Sequence, residues 1–145
     1  MINVSLLRDH LVEVSECEGE FMDHVYAGLF SRRPDARELF GRYSEANKRQ
    51  MTGETLAAVL NMVEREPWVG DYIRAMGLRH QFSYETPTDL YAPYAEAVLD
   101  ALAAVSGAAW TPELQRSWKA ALDRVNDIMT GAYVRGEKLD PSAPA

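Results

Sequence analysis

The chain has 145 residues, 47% of them hydrophobic, and a formal net charge of -7 at pH 7. This length suits one domain with a sizeable core, and the acidic balance argues against nucleic acid as the main partner. A single cysteine excludes an internal disulfide and fits a reducing, cytoplasmic compartment. The sequence has no CxxC pair, no HExxH motif, no secretory signal and no apolar run long enough to cross a bilayer.

Apolar residues recur at helical spacing through the N-terminal half. The stripe Val4, Leu7, Leu11 and Val14 predicts a first helix, and a second is expected from about Glu18 to Ser31. It should stop before Pro34, because the residue preceding a proline disfavours helical geometry. The segment PDARELF predicts one or two further turns, and Ser44 is the predicted start of a helix whose stripe is Lys48, Thr52, Leu56, Val59 and Val63.

The C-terminal half predicts three more helices. Pro67 precedes the helix VGDYIRAMGLRH, and the next runs from Leu90 to Val105, where Ser106-Gly107 signals its end. Thr111-Pro112-Glu113 predicts the start of the last helix: a capping threonine, a proline at the first position, and an acidic residue near the positive end of the helix dipole. Residues 1–136 are predicted to form the domain, followed by a polar, proline-rich tail over 137–145.

The chain is therefore expected to be all-α, since strand-like alternation persists nowhere. The unequal helix lengths and the lack of Glu-x-x-His pairs argue against a four-helix bundle with a metal site. They favour a globin-like packing of about seven or eight helices around a pocket.

His80 is the residue most suggestive of function. It ends a helix whose apolar face carries Val69, Ile73 and Met76. An imidazole there can bind a metal through one nitrogen and donate a hydrogen bond through the other. The alternative is an ordinary core histidine with a satisfied hydrogen bond.

Three stretches resemble the globins, especially bacterial single-domain haemoglobins and the haem domain of flavohaemoglobins. They are VYAGLFSRRPDARELF, RAMGLRH, and LYAPYAEAVLDALAAVSGAAWTPELQRSWKAAL, in the family's order and at family-like spacing. The resemblance implies that His80 is the proximal ligand of a haem b iron. It also implies that Phe40 packs against the porphyrin and that Tyr26 is a distal hydrogen-bond donor to bound dioxygen. The alternative for Tyr26 is a core tyrosine whose hydroxyl reaches a backbone carbonyl.

Further roles follow from the same resemblance. The pocket wall would include Met76, Tyr94, Leu56 and Val125, and Arg79 and Tyr84 could reach the haem propionates. Counting back from His80 without gaps puts the distal glutamine-or-histidine position on Lys48 and the next inward position on Thr52. A two-residue shift of this alignment would instead place Gln50 at the distal glutamine-or-histidine position. Lys48 could swing out to a propionate or to solvent, because burying an unpaired ammonium is costly. The alternatives are a distal hydrogen-bond donor or, when neutral, a sixth ligand of the iron.

On the proximal side, Tyr91 matches the tyrosine that flavohaemoglobins place behind the histidine. Their neighbouring glutamate falls on Tyr133, as in oxygen-storing globins, where a tyrosine ties the last helix to the preceding corner. The resemblance therefore implies reversible binding of dioxygen or another diatomic gas, as a monomer or homodimer. The alternatives are nitric oxide dioxygenation with a separate reductase, or a sensor module that signals through a partner.

Overall fold

Seven α-helices make up most of the computed structural model, which describes residues 2–41 and 44–134. They are α1 (Val4–Ser15), α2 (Glu18–Arg32), α3 (Ala36–Phe40), α4 (Glu45–Val63), α5 (Val69–Phe82), α6 (Tyr91–Ser106) and α7 (Pro112–Gly131). Single 3-10 turns, Thr88–Leu90 and Gly107–Ala109, precede and follow α6. No strand occurs within the described ranges, so the predicted all-α class is confirmed.

Side-chain caps begin three of these helices. The side chains of Asn3, Ser44 and Thr111 accept hydrogen bonds from the backbone N–H three residues ahead. Each satisfies one of the amides that a helix leaves unpaired in its first turn. The predicted starts at Ser44 and Thr111 are confirmed, with Pro112 in the first turn of α7.

Two glycines let helices cross closely. A Cβ on Gly77 of α5 would lie 2.4 Å from the backbone oxygen of Met129 in α7. A Cβ on Gly28 of α2 would lie 3.3 Å from that of Ala97 in α6. The first crossing fixes the helix that carries His80 directly against the backbone of α7.

A buried histidine, His10, joins α1 to α6 and α7. The indole N–H of Trp118 donates to His10 Nδ1 over 2.9 Å, so the ring proton sits on Nε2 and is donated to Ser106 Oγ over 2.6 Å. Burial lowers the pKa of His10, because a dry site disfavours the charged ring. This ring is thus held neutral with both nitrogens satisfied.

The predicted boundary at residue 136 and the polar tail over 137–145 lie outside the described residues. None of the helices in the described ranges is both long and apolar enough to span a membrane.

Candidate functional site

A large cavity opens between α4, α5, α6 and α7, with an empty volume of about 1420 Å³ that includes its open mouth. The predicted site residues on its wall are Phe40, Lys48, Met76, Arg79, His80, Tyr84, Tyr91, Tyr94 and Val125, and Gln50 also lines it. Tyr26, Thr52 and Leu56 are absent from this wall. Predicted residues from five helices and from the corner after α5 therefore line one cavity.

His80 presents one free ring nitrogen. Its Nδ1 lies 2.7 Å from the backbone oxygen of Met76, one turn earlier on α5. A carbonyl oxygen only accepts, so Nδ1 carries the proton and Nε2 keeps its lone pair. Burial lowers the pKa of His80, which favours the neutral ring. A neutral imidazole with an available Nε2 is the form that binds a metal ion.

Tyrosines join the corner after α5 to the end of α7. The hydroxyl of Tyr133 donates to the backbone oxygen of Thr86 over 2.8 Å. Because the Tyr133 hydroxyl has only this one proton to donate, its oxygen is the acceptor in the contact with Tyr91. The hydroxyl of Tyr91 therefore donates to Tyr133 Oη over 2.9 Å. The N–H of Thr86 donates in turn to the backbone oxygen of His80 over 2.8 Å. This chain of bonds makes the tie between last helix and corner that was expected of Tyr133, and it contains no carboxylate.

Tyr26 lies behind the cavity wall. Its side chain is buried, and its hydroxyl donates to the backbone oxygen of Lys48 over 3.0 Å. Its ring packs edge-on against Phe40, with centroids 5.3 Å apart. Burial raises the pKa of Tyr26 well above its usual range, so the phenol keeps its proton. The hydrogen bond to the Lys48 carbonyl is the kind of contact that the alternative interpretation of Tyr26 as a core tyrosine describes. Through it the hydroxyl anchors the first turn of α4.

Lys48 lies on the cavity wall with its ammonium paired to a carboxylate. The Nζ atom lies 2.6 Å from a carboxylate oxygen of Glu45 and 5.6 Å from the ring centroid of Tyr26. An ammonium at the mouth keeps partners and part of its hydration, as its desolvation cost requires.

The cavity face of α4 keeps the expected Lys48, but at Thr52 and Leu56 it differs from the expected one by a single residue. Thr52 is fully buried beside the cavity and donates to the backbone oxygen of Arg49 over 2.9 Å. Leu56 lines a separate, smaller recess beside α1. Met51 and Thr55 line the main cavity in place of Thr52 and Leu56, and Asn47 lines it beside Lys48. One residue rotates a side chain by 100° about a helix axis, which is enough to move it from the cavity to the core.

Sequence reasoning also missed Thr55. Its hydroxyl donates to the backbone oxygen of Met51 over 3.0 Å and so accepts from the hydroxyl of Tyr94, 3.1 Å away. Burial raises the pKa of Tyr94 to about 12. In the sequence, the only indication of this role is that Thr55 follows Met51 by four residues and so lies on the same face of α4. That indication is useful only once Met51 is known to face the cavity.

The residues present fit an iron porphyrin. The neutral His80 supplies an axial nitrogen, and Phe40, Met76 and Val125 supply apolar walls. Arg79 is exposed at the mouth, where a cation can meet the carboxylates of the macrocycle. In the described part of the chain, no cluster of histidine, cysteine and acidic side chains offers a competing metal site.

An all-helical fold with a neutral histidine on a cavity wall is an arrangement found in helical haem proteins. The family model for Globin matches residues 23–129. The chain therefore belongs to the globin family, whose members generally bind haem and through it diatomic gases. No curated protein matches the chain.

Proposed function

We propose that this globin binds haem b through His80 Nε2 and that the haem reversibly binds dioxygen, for oxygen binding, transport or storage. The main support is the hydrogen bond from His80 Nδ1 to the Met76 carbonyl. It keeps the ring proton on Nδ1 and so leaves the lone pair of Nε2 available to bind the iron. The bound haem would supply the iron on which a gas sits. The protein supplies the axial nitrogen, the apolar walls and the charges at the mouth.

Haem uptake tests this proposal directly. Titrating the apo-protein with haem should give one-to-one binding and an intense absorption band at the violet end of the visible spectrum. His80→Ala should lose the band or regain it only with added imidazole. The matched control is His24→Ala, because His24 is half-exposed on α2. A wild-type protein that takes up no haem, or a His80→Ala spectrum identical to wild type, would contradict the proposal.

We infer that Asn47 and Met51, which line the cavity together with Lys48, face the gas on α4. Asn47 can donate through its amide, whereas the thioether of Met51 offers no donor. Tyr26 acts on the gas indirectly, by holding the α4 turn that carries Asn47. Its direct role as a donor would require the hydroxyl to leave the Lys48 carbonyl.

Nitric oxide dioxygenation with a separate reductase is the second candidate function, and the proximal hydrogen bonds weigh against it. Tyr91 donates to the neutral hydroxyl of Tyr133 rather than to a carboxylate. A neutral partner does little to increase the electron density on the axial imidazole, because a large increase requires a negatively charged acceptor. Catalytic consumption of nitric oxide in the presence of a reductase would favour the enzyme, and consumption that stops after one turnover would favour the binding protein.

A further inference from the structure

Two hydroxyl groups, one from α4 and one from α6, pair on the wall of the large cavity. Thr55 Oγ1 and Tyr94 Oη lie 3.1 Å apart, and both residues are half-buried and line the cavity. The Thr55 hydroxyl also lies 3.0 Å from the backbone oxygen of Met51, one turn earlier on α4. Either hydroxyl can be the donor in the contact between them, because each has one proton and free lone pairs. The pair therefore has two arrangements that differ only in where the two protons point.

Two neighbouring turns of α6 contact different sides of this cavity. The ring of Tyr91 lies 6.1 Å from that of His80, and its hydroxyl bonds the end of α7. Tyr94 follows three residues later on the same face of α6, and its hydroxyl reaches α4 instead. Because His80 would occupy one axial position of the haem, a gas must bind on the side away from the His80 ring. The Tyr94 hydroxyl lies on α4, beside Thr55 and one turn from Met51, which we infer to face that gas.

We propose that Tyr94 is a hydrogen-bond donor to the bound gas and that Thr55 is its positioning residue, an inference that rests on the proposed function. Without gas, Thr55 donates to the Met51 carbonyl and Tyr94 donates to Thr55 Oγ1. When a polar gas binds, the Thr55 proton turns to Tyr94 Oη and the Tyr94 proton turns to the gas. Each proton rotates about its own C–O bond and stays on its own oxygen, so the change involves no proton transfer.

The change of direction leaves every polar group of the pair with a partner. The Met51 carbonyl keeps the helical hydrogen bond from the Thr55 N–H, because residue 55 lies four positions later in the same helix. Thr55 still donates, now to Tyr94 Oη, and successive hydrogen bonds in such a chain strengthen one another. Burial raises the pKa of Tyr94 to about 12, so its phenol still has a proton to donate at neutral pH.

This arrangement favours polar gases. Dioxygen bound to a ferrous haem carries partial negative charge and therefore accepts a hydrogen bond, whereas bound carbon monoxide is a much weaker acceptor. The bond from Tyr94 should therefore slow the release of dioxygen and have little effect on carbon monoxide.

Unfolding of the haem-free protein in urea tests the pairing of Thr55 with Tyr94. Thr55→Val removes the partner of the Tyr94 hydroxyl and should lower the urea midpoint, whereas Thr55→Ser keeps a hydroxyl and should retain most of the wild-type midpoint. In a Tyr94→Phe background the effect of Thr55→Val should shrink, because no phenol proton then needs an acceptor. Equal effects in the two backgrounds would show that the hydroxyls are not coupled and would overturn the role of Thr55.

Rates of gas release from the haem-loaded protein test Tyr94 as the donor. Tyr94→Phe should release dioxygen about three- to tenfold faster, the effect of losing one hydrogen bond, and should change carbon monoxide release by less than about twofold. The matched control is Tyr72→Phe, because Tyr72 packs against Trp68 on α5 and does not line the cavity. This control should release both gases like wild type.

Two results would overturn the role of Tyr94 while leaving the proposed function standing. The first is dioxygen release from Tyr94→Phe at the wild-type rate. The second is equal acceleration of both gases, which would indicate a reshaped cavity and not a lost donor. A wild type that takes up no haem would instead contradict the proposed function and, with it, this inference.

Discussion

Replacing Gly77 by alanine perturbs the crossing of α5 and α7, where the helix that carries His80 contacts the backbone of Met129. The new Cβ would lie 2.4 Å from the backbone oxygen of Met129, whereas ordinary contacts begin at 3.4 Å. The obstacle is main chain, which cannot rotate aside as a flexible side chain can. The α5 and α7 backbones must therefore separate by about 1 Å or twist locally, and overpacking of this kind costs about 1–3 kcal/mol.

Alanine also favours the helix, which offsets up to about 1 kcal/mol of that cost. We therefore expect Gly77→Ala to lower the free energy of unfolding by about 1–2 kcal/mol. Gly53→Ala is the matched control, because Gly53 lies inside α4 with no atom within 4 Å of an added Cβ. The control should be stabilised by about 0.5–1 kcal/mol through helix propensity alone.

Urea unfolding followed by circular dichroism measures both changes. With a slope of about 1–3 kcal/mol per molar urea, the midpoints of the two variants should differ by about 1 M, with wild type between them. Haem titration supplies a second measurement, since His80 and its Met76 partner share α5 with Gly77 and should move with it. If Gly77→Ala unfolded at the same or higher urea concentration than wild type, the claim of a tight α5–α7 crossing would be refuted.

Three further changes test the capping, the tyrosine anchor and the buried histidine. Thr111→Ala removes the acceptor for the Leu114 N–H and should lower the free energy of unfolding by about 1 kcal/mol in urea titrations; an unchanged midpoint would show that water replaces this cap. Tyr26→Phe removes one of the donors to the Lys48 carbonyl, which also accepts from Thr52 Oγ1, and should also cost about 1 kcal/mol, whereas faster dioxygen release at unchanged stability would place the hydroxyl on the gas. Because the pKa of His10 is lowered in the fold, the unfolded state binds more protons just below the ordinary value of about 6.5. Stability should therefore be full above that pH and fall as acid is added, and His10→Gln should flatten the decline; an equal slope in wild type and variant would rule His10 out as its source.

Local chemistry and periodicity were enough to predict the helices, because their signals lie within a few neighbouring residues. Thr111 followed by Pro112 predicts a helix start from local chemistry alone, because the threonine can cap the helix and the proline fits its first turn. His80 was recognisable because a histidine stands out on a stripe of Val69, Ile73 and Met76.

Only the tertiary structure decided which face of α4 meets the cavity and what each tyrosine hydroxyl bonds. The α4 helix contacts α1 on one side and lines the cavity on another with polar side chains such as Gln50, Glu54 and Thr55, so apolar periodicity alone does not show which side faces the cavity. The bond from Tyr26 to the Lys48 carbonyl joins residues 22 positions apart, and the tie from Tyr133 to Thr86 spans 47. Such partners depend on how the helices cross. The crossing in turn depends on contacts such as that between Gly77 and Met129, which neither local stretch of sequence predicts.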